Sequence, residues 1–382
     1  MDRRMFLFQT GTIITATMLA QCGIAADTKS NDSMRRPHPD QFPTPALKAI
    51  ALGINAPNPH NTQAWKFRIV SDTELLMYVD ETRILPATDP PARQIHIGCG
   101  CFLSVMTAGI SQHGYAAACT LLPEGEYSLA QTGKVPVAHI RLIPLSGSVD
   151  PLARQIYNRR TNRLAYTDAE LPTSTFNAMV QLANPQHCSI KLIAGDPLAE
   201  HLNILYNGME VESGTYATHE ESRVWFREND EKIAQHRDGI NLPAGGTTGL
   251  RKFVAERLLK GLHADDWHKP ATVNQHLTSY VKKVKSARAV VQFITPANTQ
   301  ADWIKAGMDY ARFQLAATAS DYYLHPMSQV LQEYPEMNTL RVQYEKLSGI
   351  TEDQKIQMAV RIGKAKEPFY SYRRDVNTLL LP

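Results

Sequence analysis

The strongest constraint on this chain is an internal repeat. The stretch "FPTPALKAI" (42–50) is answered much later by "LPTSTFNAM" (171–179), each a Pro-Thr lead into a short amphipathic helix. A polar loop rich in Asn, Pro and His follows both, and then an alternating strand: Trp65, Phe67 and Ile69 in one copy, Cys188, Ile190 and Leu192 in the other. A longer helix comes next. Its apolar face holds Cys99, Phe102, Met106, Ile110 and His113, with Gly114 as the stop; in the second copy it holds Ile304, Met308, Ala311, Leu315, Thr318 and Tyr322. Each copy closes on a strand, at 135–142 and 356–363. This order predicts an α+β fold of two tandem related halves, 42–150 and 151–382, packed as a pseudo-dimer within a monomer.

At 382 residues the chain can bury a substantial core, and its 43% hydrophobic and 20% charged composition is that of a globular protein. A net charge of +3 gives no reason to expect a nucleic-acid partner, so small molecules are the expected ones. Cys99, Cys101, Cys119 and Cys188 form neither a disulfide framework nor a metal-binding spacing. No Ser/His/Asp or Cys/His constellation points to a protein nucleophile.

Residues 1–26 have a short basic start, an apolar run from about Gly11 to Ala20 and small residues before Asp27, the layout of an export signal. Arg3-Arg4 followed by Met5-Phe6-Leu7 resembles a twin-arginine signal, which implies a periplasmic address; a general secretory signal is the alternative, and lipidation at Cys22 a minority one. The apolar run is too short for a span, and no membrane span is expected after signal removal. Residues 27–41 read as a polar linker.

The halves differ where chemistry would sit. The first contains "NAPNPHNTQAW", whereas the second has only "LANPQHC" at that point; conversely, the second opens with "IYNRRTNRLAY" and the first offers only Arg35-Arg36. An insertion from about 206 to 286, with no counterpart in the first half, holds helical patterns around a Gly-rich loop and reads as a lid.

These motifs resemble those of the flavin-dependent nitroreductases, and more closely the branch with two such folds fused in one chain, the Acg-like proteins. In ordinary members two identical subunits build two FMN sites at their interface. One subunit supplies an Arg-x-Ser/Thr-x-Arg/Lys segment and a basic C-terminal residue, and the other a Pro-Ser-x-x-Asn-x-Gln-Pro-Trp loop. "RRTNR" matches the first through Arg159, Arg160, Thr161 and Arg163. "PNPHNTQAW" matches the second through Pro57, Asn61, Gln63 and Trp65, departing from it at Asn58 and Ala64. Arg373 and Arg374 stand where the family has its basic residue. The insertion shares with Acg-like chains a Trp225 helix followed by Asp238, Gly239, Ile240 and Pro243.

The resemblance implies FMN as cofactor, with arginines on its phosphate, Thr161 at a helix start adding a hydroxyl, and the amides of Asn58, Asn61 and Gln63 toward the ring edge. A Pro-containing turn after the second long helix, with His325, Pro326, Met327 and Ser328, is implied to lie against the ring. His60 is open between flavin contact and exposure, and Trp65 is expected to pack behind the loop. The expected activity is two-electron ping-pong transfer from a small-molecule donor to a small nitroaromatic, quinone or similar acceptor, with the chemistry on FMN, no catalytic side chain and no metal. A non-catalytic protein sequestering FMN under its lid stays open as the alternative.

Overall fold

Why the first helix starts where it does is local chemistry: Pro45 takes its first turn and the Thr44 hydroxyl accepts from Leu47 N–H, giving α1 over Pro45–Gly53. In this computed structural model, which describes residues 35–260 and 262–382, a hairpin follows, β1 (Trp65–Ser71) and β2 (Glu74–Val79). Then come the long helix α2 (Arg93–Ile110), β3 (Tyr115–Leu121) and β4 (Ala138–Pro144). Gly114, at φ 81°, ends the helical segment as its sequence position predicts.

The second half repeats the scheme with α3 (Thr173–Ala183) and β5 (Ser189–Ala194). Six helices then intervene: α4 (Leu198–Gly214), α5 (Tyr216–Val224), α6 (Asp230–His236), α7 (Gly249–Leu259), α8 (Ala264–Trp267) and α9 (Pro270–Lys285). Two short strands, β6 (Phe226–Arg227) and β7 (Ile240–Asn241), pair within this insertion. The half resumes with β8 (Ala289–Thr295), α10 (Gln300–Ala319), β9 (Tyr323–Pro326), α11 (Asn338–Leu347) and β10 (Lys355–Gly363).

The two four-stranded sheets share one strand order. Their orders are β1-β2-β4-β3 and β5-β8-β10-β9, and every neighbouring pair is antiparallel. Numbered within its own half, each sheet runs first, second, fourth, third. Between the sheets α2 crosses α10 at two glycines. A Cβ on Gly100 would lie 1.8 Å from the Ile304 carbonyl oxygen, and one on Gly307 would lie 1.9 Å from that of Ile97. The contact is reciprocal, as an approximate twofold axis requires. Helix α2 is long and apolar enough to cross a membrane by composition, yet its side chains are almost all buried in the core, many of them around α10.

Several boundaries differ from expectation. The export signal, including Arg3, Arg4 and Cys22, lies outside the described residues. The linker is not free from Arg35 onward: Arg35 O accepts from Arg373 N–H at 2.9 Å, and the Arg36 guanidinium lies 3.8 Å from the centre of the Tyr370 ring. The insertion begins at α4, at Leu198 rather than near 206, and separates the first two strands of its sheet. The Pro326 segment is no turn but edge strand β9, where a proline needs no ladder donor.

Candidate functional site

The amide-rich loop is held by its own side chains. Asn58 Oδ1 accepts from Gln63 N–H at 2.9 Å, and its amide donates to Ala56 O at 3.2 Å. His60, Asn61 and Gln63 all have positive φ, a tight non-helical path that aims Pro57, Asn58 and His60 at a cavity. Trp65 is buried behind the loop, its ring 5.1 Å from that of Phe102.

The arginine segment runs alongside β9. Thr161 makes an isolated bridge to Leu324, so it stands on extended chain and not at a helix start. The preceding short helical turn, Pro151–Gln155, has already ended. Arg159 is buried, donating to Asn55 O and Gln314 Oε1, both at 3.1 Å. Arg160 donates to Pro368 O and pairs with the exposed Glu367, while its Nε is buried without a partner. Arg163 makes no hydrogen bond or ion pair among the described residues.

From the C-terminal tail Arg373 enters the same place, donating to Ile54 O at 2.8 Å and to Asn61 Oδ1 at 2.8 Å. Arg159, Arg160, Thr161, Arg163, Arg373, Pro57, Asn58 and Asn61 line a niche of about 50 Å³. Pro57, Asn58, Thr161 and Arg163 also line a larger cavity of about 460 Å³, so the two adjoin. That size falls in the ordinary range for small-molecule and cofactor sites.

Three expected residues lie elsewhere. Gln63 is fully buried and spent on structure: its amide donates to Arg237 O at 2.9 Å and its carbonyl accepts from Arg374 N–H at 2.8 Å. The Arg374 guanidinium is engaged by Gln63 O at 3.1 Å and Asp80 Oδ2 at 3.3 Å, away from the niche. The Met327 side chain is buried under Tyr280, whose hydroxyl reaches its sulfur at 3.2 Å. Pro326, Ser328 and His325 do line the cavity.

About half of the cavity lining comes from the insertion, including Glu212, Ser222, Trp267, His276, Tyr280 and Lys283, none of which the motifs single out. The insertion is fastened to the loop it covers. Gly239 N–H donates to Asn61 O, His60 Nε2 lies 3.0 Å from Ser222 Oγ, and buried Asp238 pairs with both Arg83 at 2.7 Å and Arg227 at 2.8 Å. The guanidiniums of Arg83 and Arg227 each lie 5.6 Å from the Trp225 ring centre. Gly239 is required here: at φ 74° its Cβ would sit 2.3 Å from Trp225 O.

The electrostatics are lopsided. Arg36, Arg159 and Arg373 are buried, and burial lowers each guanidinium pKa, Arg36 to about 9, with repulsion from neighbouring arginines adding to it: Arg159 and Arg160 on Arg36, Arg160 on Arg159, Arg36 and Arg159 on Arg373. Among the described residues none of the three pairs with a carboxylate. Their acceptors are neutral carbonyls, amides and a hydroxyl. On the cavity side, Glu212 is the reverse case: burial pushes its carboxyl up to about 7, with Gln332 Nε2 donating to it at 2.7 Å. His60 is held down to about 4 by burial and by Arg163.

No protein-family model matches the chain. It is 31% identical over 150 residues to "Putative NAD(P)H nitroreductase Rv3131" of Mycobacterium tuberculosis, 39% of this chain and 41% of that one. It is 29% identical over 123 residues to "Uncharacterized protein Rv3127" of the same organism, 31% and 34% of the two chains, and 33% identical over 69 residues to "Putative NAD(P)H nitroreductase acg", 18% and 20%. Each match spans less than half the length of the curated relative. Among solved structures, the FMN-dependent nitroreductase NfnB from Mycobacterium smegmatis aligns at 20% identity over 56% of this chain and 88% of that one, with a TM-score of 0.35, too loose a superposition to argue from. Over part of its length the chain is thus similar to proteins named putative NAD(P)H nitroreductases, acg among them.

Proposed function

We propose that the chain is an FMN-dependent oxidoreductase of nitroreductase type with one flavin site, built from the first-half loop and the second-half arginines. The observation that carries this reading is the set of buried guanidiniums with no counter-anion among the described residues, beside a cavity of cofactor size. Uncompensated buried cations are strongly unfavourable, so a site of this kind is completed by an anion from outside the chain. A phosphate monoester fits, because guanidinium and backbone donors suit its oxygens.

Arg159, Arg160, Arg373 and Asn61 would hold the phosphate, and Thr161 and Arg163 would stand between phosphate and ring. Bound FMN supplies two-electron transfer between a donor and an acceptor in separate half-reactions. Arg163, unpaired among the described residues and on the wall of both compartments, favours negative charge on whatever is reduced beside it. Glu212 and the neutral His60 place exchangeable protons at the same cavity, and the lid segments exclude water from it. The acceptor class is a small oxidised molecule such as a nitroaromatic or quinone.

The fastened lid favours a second reading, in which the protein holds FMN without turnover. The test is common to both. Purified protein should show a flavin absorbance spectrum and release close to one FMN per chain, and steady-state oxidation of a reductant by an added quinone separates an enzyme from a store. Colourless protein that takes up no FMN would overturn the cofactor assignment, and two flavins per chain would overturn the single-site argument.

A further inference from the structure

One helix of the insertion presents its apolar side chains outward. In α7, Leu250, Phe253, Val254 and Leu258 are exposed at 78%, 52%, 48% and 39%. With Arg257 they follow the i, i+3, i+4, i+7, i+8 spacing of a single helical face. Just past the helix end, Leu262 is exposed as well. The opposite face is the one against the body: Lys252 there pairs with Asp230 and with Glu256, and Ala255 and Leu259 are half-buried. The helix is therefore inverted relative to an ordinary surface helix, with Lys252 and Glu256 on its less exposed face and its leucines and phenylalanine toward solvent.

The charges on the outward face are of one sign. Arg251 flanks the apolar stripe on one side and Lys260 on the other, and Arg257 rises within it, its guanidinium 4.5 Å from the Phe253 ring centre. All three are exposed, none has an ion-pair partner among the described residues, and the helix's one acidic residue, Glu256, points inward. An apolar stripe edged by unpaired cations, with no acid on the same face, complements an anionic lipid surface: the side chains enter the headgroup boundary while arginine and lysine stems reach back to phosphates. A second copy of the chain would have to bring the same cations against themselves.

We propose that α7 is a membrane-docking helix that seats the protein on an anionic bilayer. The placement has a consequence for the cavity. Ala244, Gly245 and Thr247 line it immediately before α7, and Trp267 lines it shortly after, so the docked helix joins two segments of the cavity wall. Seating α7 in lipid thus brings the lid, and the cavity beneath it, to the membrane surface.

The test is co-sedimentation of the full chain with vesicles of phosphatidylcholine, with and without phosphatidylglycerol. Binding should require the anionic lipid and fall as salt rises. Two variants are compared with the unmodified chain: Arg251→Glu with Arg257→Glu and Lys260→Glu, and Leu250→Ser with Phe253→Ser. Each should lower vesicle affinity at least about tenfold, since each surface cation and each inserted apolar side chain contributes on that scale. Thermal melts in lipid-free buffer should match the unmodified chain, because every altered side chain is exposed. Equal binding by both variants would place the membrane contact elsewhere in the chain and overturn the proposal. A lipid-independent dimer abolished by Leu250→Ser with Phe253→Ser, without vesicle binding, would assign the face to self-association and overturn it as well.

Discussion

In the first half β1 turns into β2 through Asp72 and Thr73, whereas in the second the same connection runs from Gly195 to Arg288 and carries six helices. The loops that precede these strands differ just as much. In the first half residues 57–60 reach a cavity. In the second, the shorter loop is gathered around one buried carboxylate: Asp309 accepts from the N–H groups of Gln186 at 3.1 Å, His187 at 2.7 Å and Cys188 at 2.8 Å. Asp309 lies two residues beyond Gly307, and two beyond Gly100 stands Phe102, which packs against Trp65 and Phe67. The lesson is that a duplicated fold need not keep duplicated sites. One copy spends its loop donors internally, and the other, covered by its partner's insertion, leaves polar side chains facing a cavity.

The largest expected effect follows from that carboxylate. Asp309→Ala leaves three part-buried backbone donors without the buried carboxylate that gathers them and should destabilise the fold by about 4 kcal/mol in urea denaturation, while the flavin content of the folded fraction stays unchanged. A loss below about 1 kcal/mol, or a changed flavin content, would mean that the second loop is not a purely structural counterpart of the first.

Next comes the crossing of α2 and α10. Gly100→Ala and Gly307→Ala each drive a methyl group into a carbonyl of the facing helix, and each should be destabilising by about 3 kcal/mol. The informative result is their equality. Effects that differ by more than about 1 kcal/mol would show that the twofold relation holds for the backbone trace but not for its tolerance to expansion.

Much of this architecture was legible because it rests on periodicity. The paired helix starts, the two long helices and the closing strands are carried by spacing that any compact fold must respect. Strand β8 was not legible, because its sequence AVVQFIT has no alternation to separate it from a core helix, whereas β10, buried just as completely, still interleaves Gln357 and Arg361 between apolar residues. Strand β9 was hidden by Pro326, which signals a turn unless the strand is known to lie at a sheet edge. In the site, the motifs found Arg159, Arg163, Arg373, Asn58 and Asn61, all of which converge. They also picked Gln63 and Arg374, which hold each other: a motif records a residue's position but not whether its hydrogen bonds are already used. Glu212, Tyr280 and Lys283 reach the cavity only through the folding of the insertion, and no local spacing announces them.

That distinction between convergent and engaged arginines supplies the third prediction. Replacing Arg159 or Arg373 with Ala removes a guanidinium from the niche and should weaken FMN retention by about 1.5–3 kcal/mol, ten- to a hundredfold in dissociation constant by fluorescence titration. Arg374→Ala should instead leave the dissociation constant within about threefold while lowering the melting temperature, because it frees Asp80 and Gln63. If Arg374→Ala lost flavin and Arg159→Ala did not, the phosphate would sit outside the niche.

The smallest effect concerns the insertion's own contribution to the cavity, which has no counterpart in the first half. The Glu212 carboxyl is raised to about 7 in the folded chain from an ordinary value of 4.5, chiefly by burial; Glu221 also raises it, whereas hydrogen bonds from Gln332 and Ser222 oppose the shift. The folded state therefore binds this proton more tightly than the unfolded chain does. Its stabilising effect is present below pH 4.5 and is lost progressively as pH rises to about 7. Glu212→Gln keeps an acceptor for Gln332 but cannot ionise. The variant should match the native chain near pH 4.5 and exceed it in stability by about 2 kcal/mol at pH 8, in urea titrations at the two values. A constant difference across that range would mean that Glu212 is ionised in the folded protein at neutral pH, and the cavity would then hold a fixed negative charge opposite Arg163 instead of a proton.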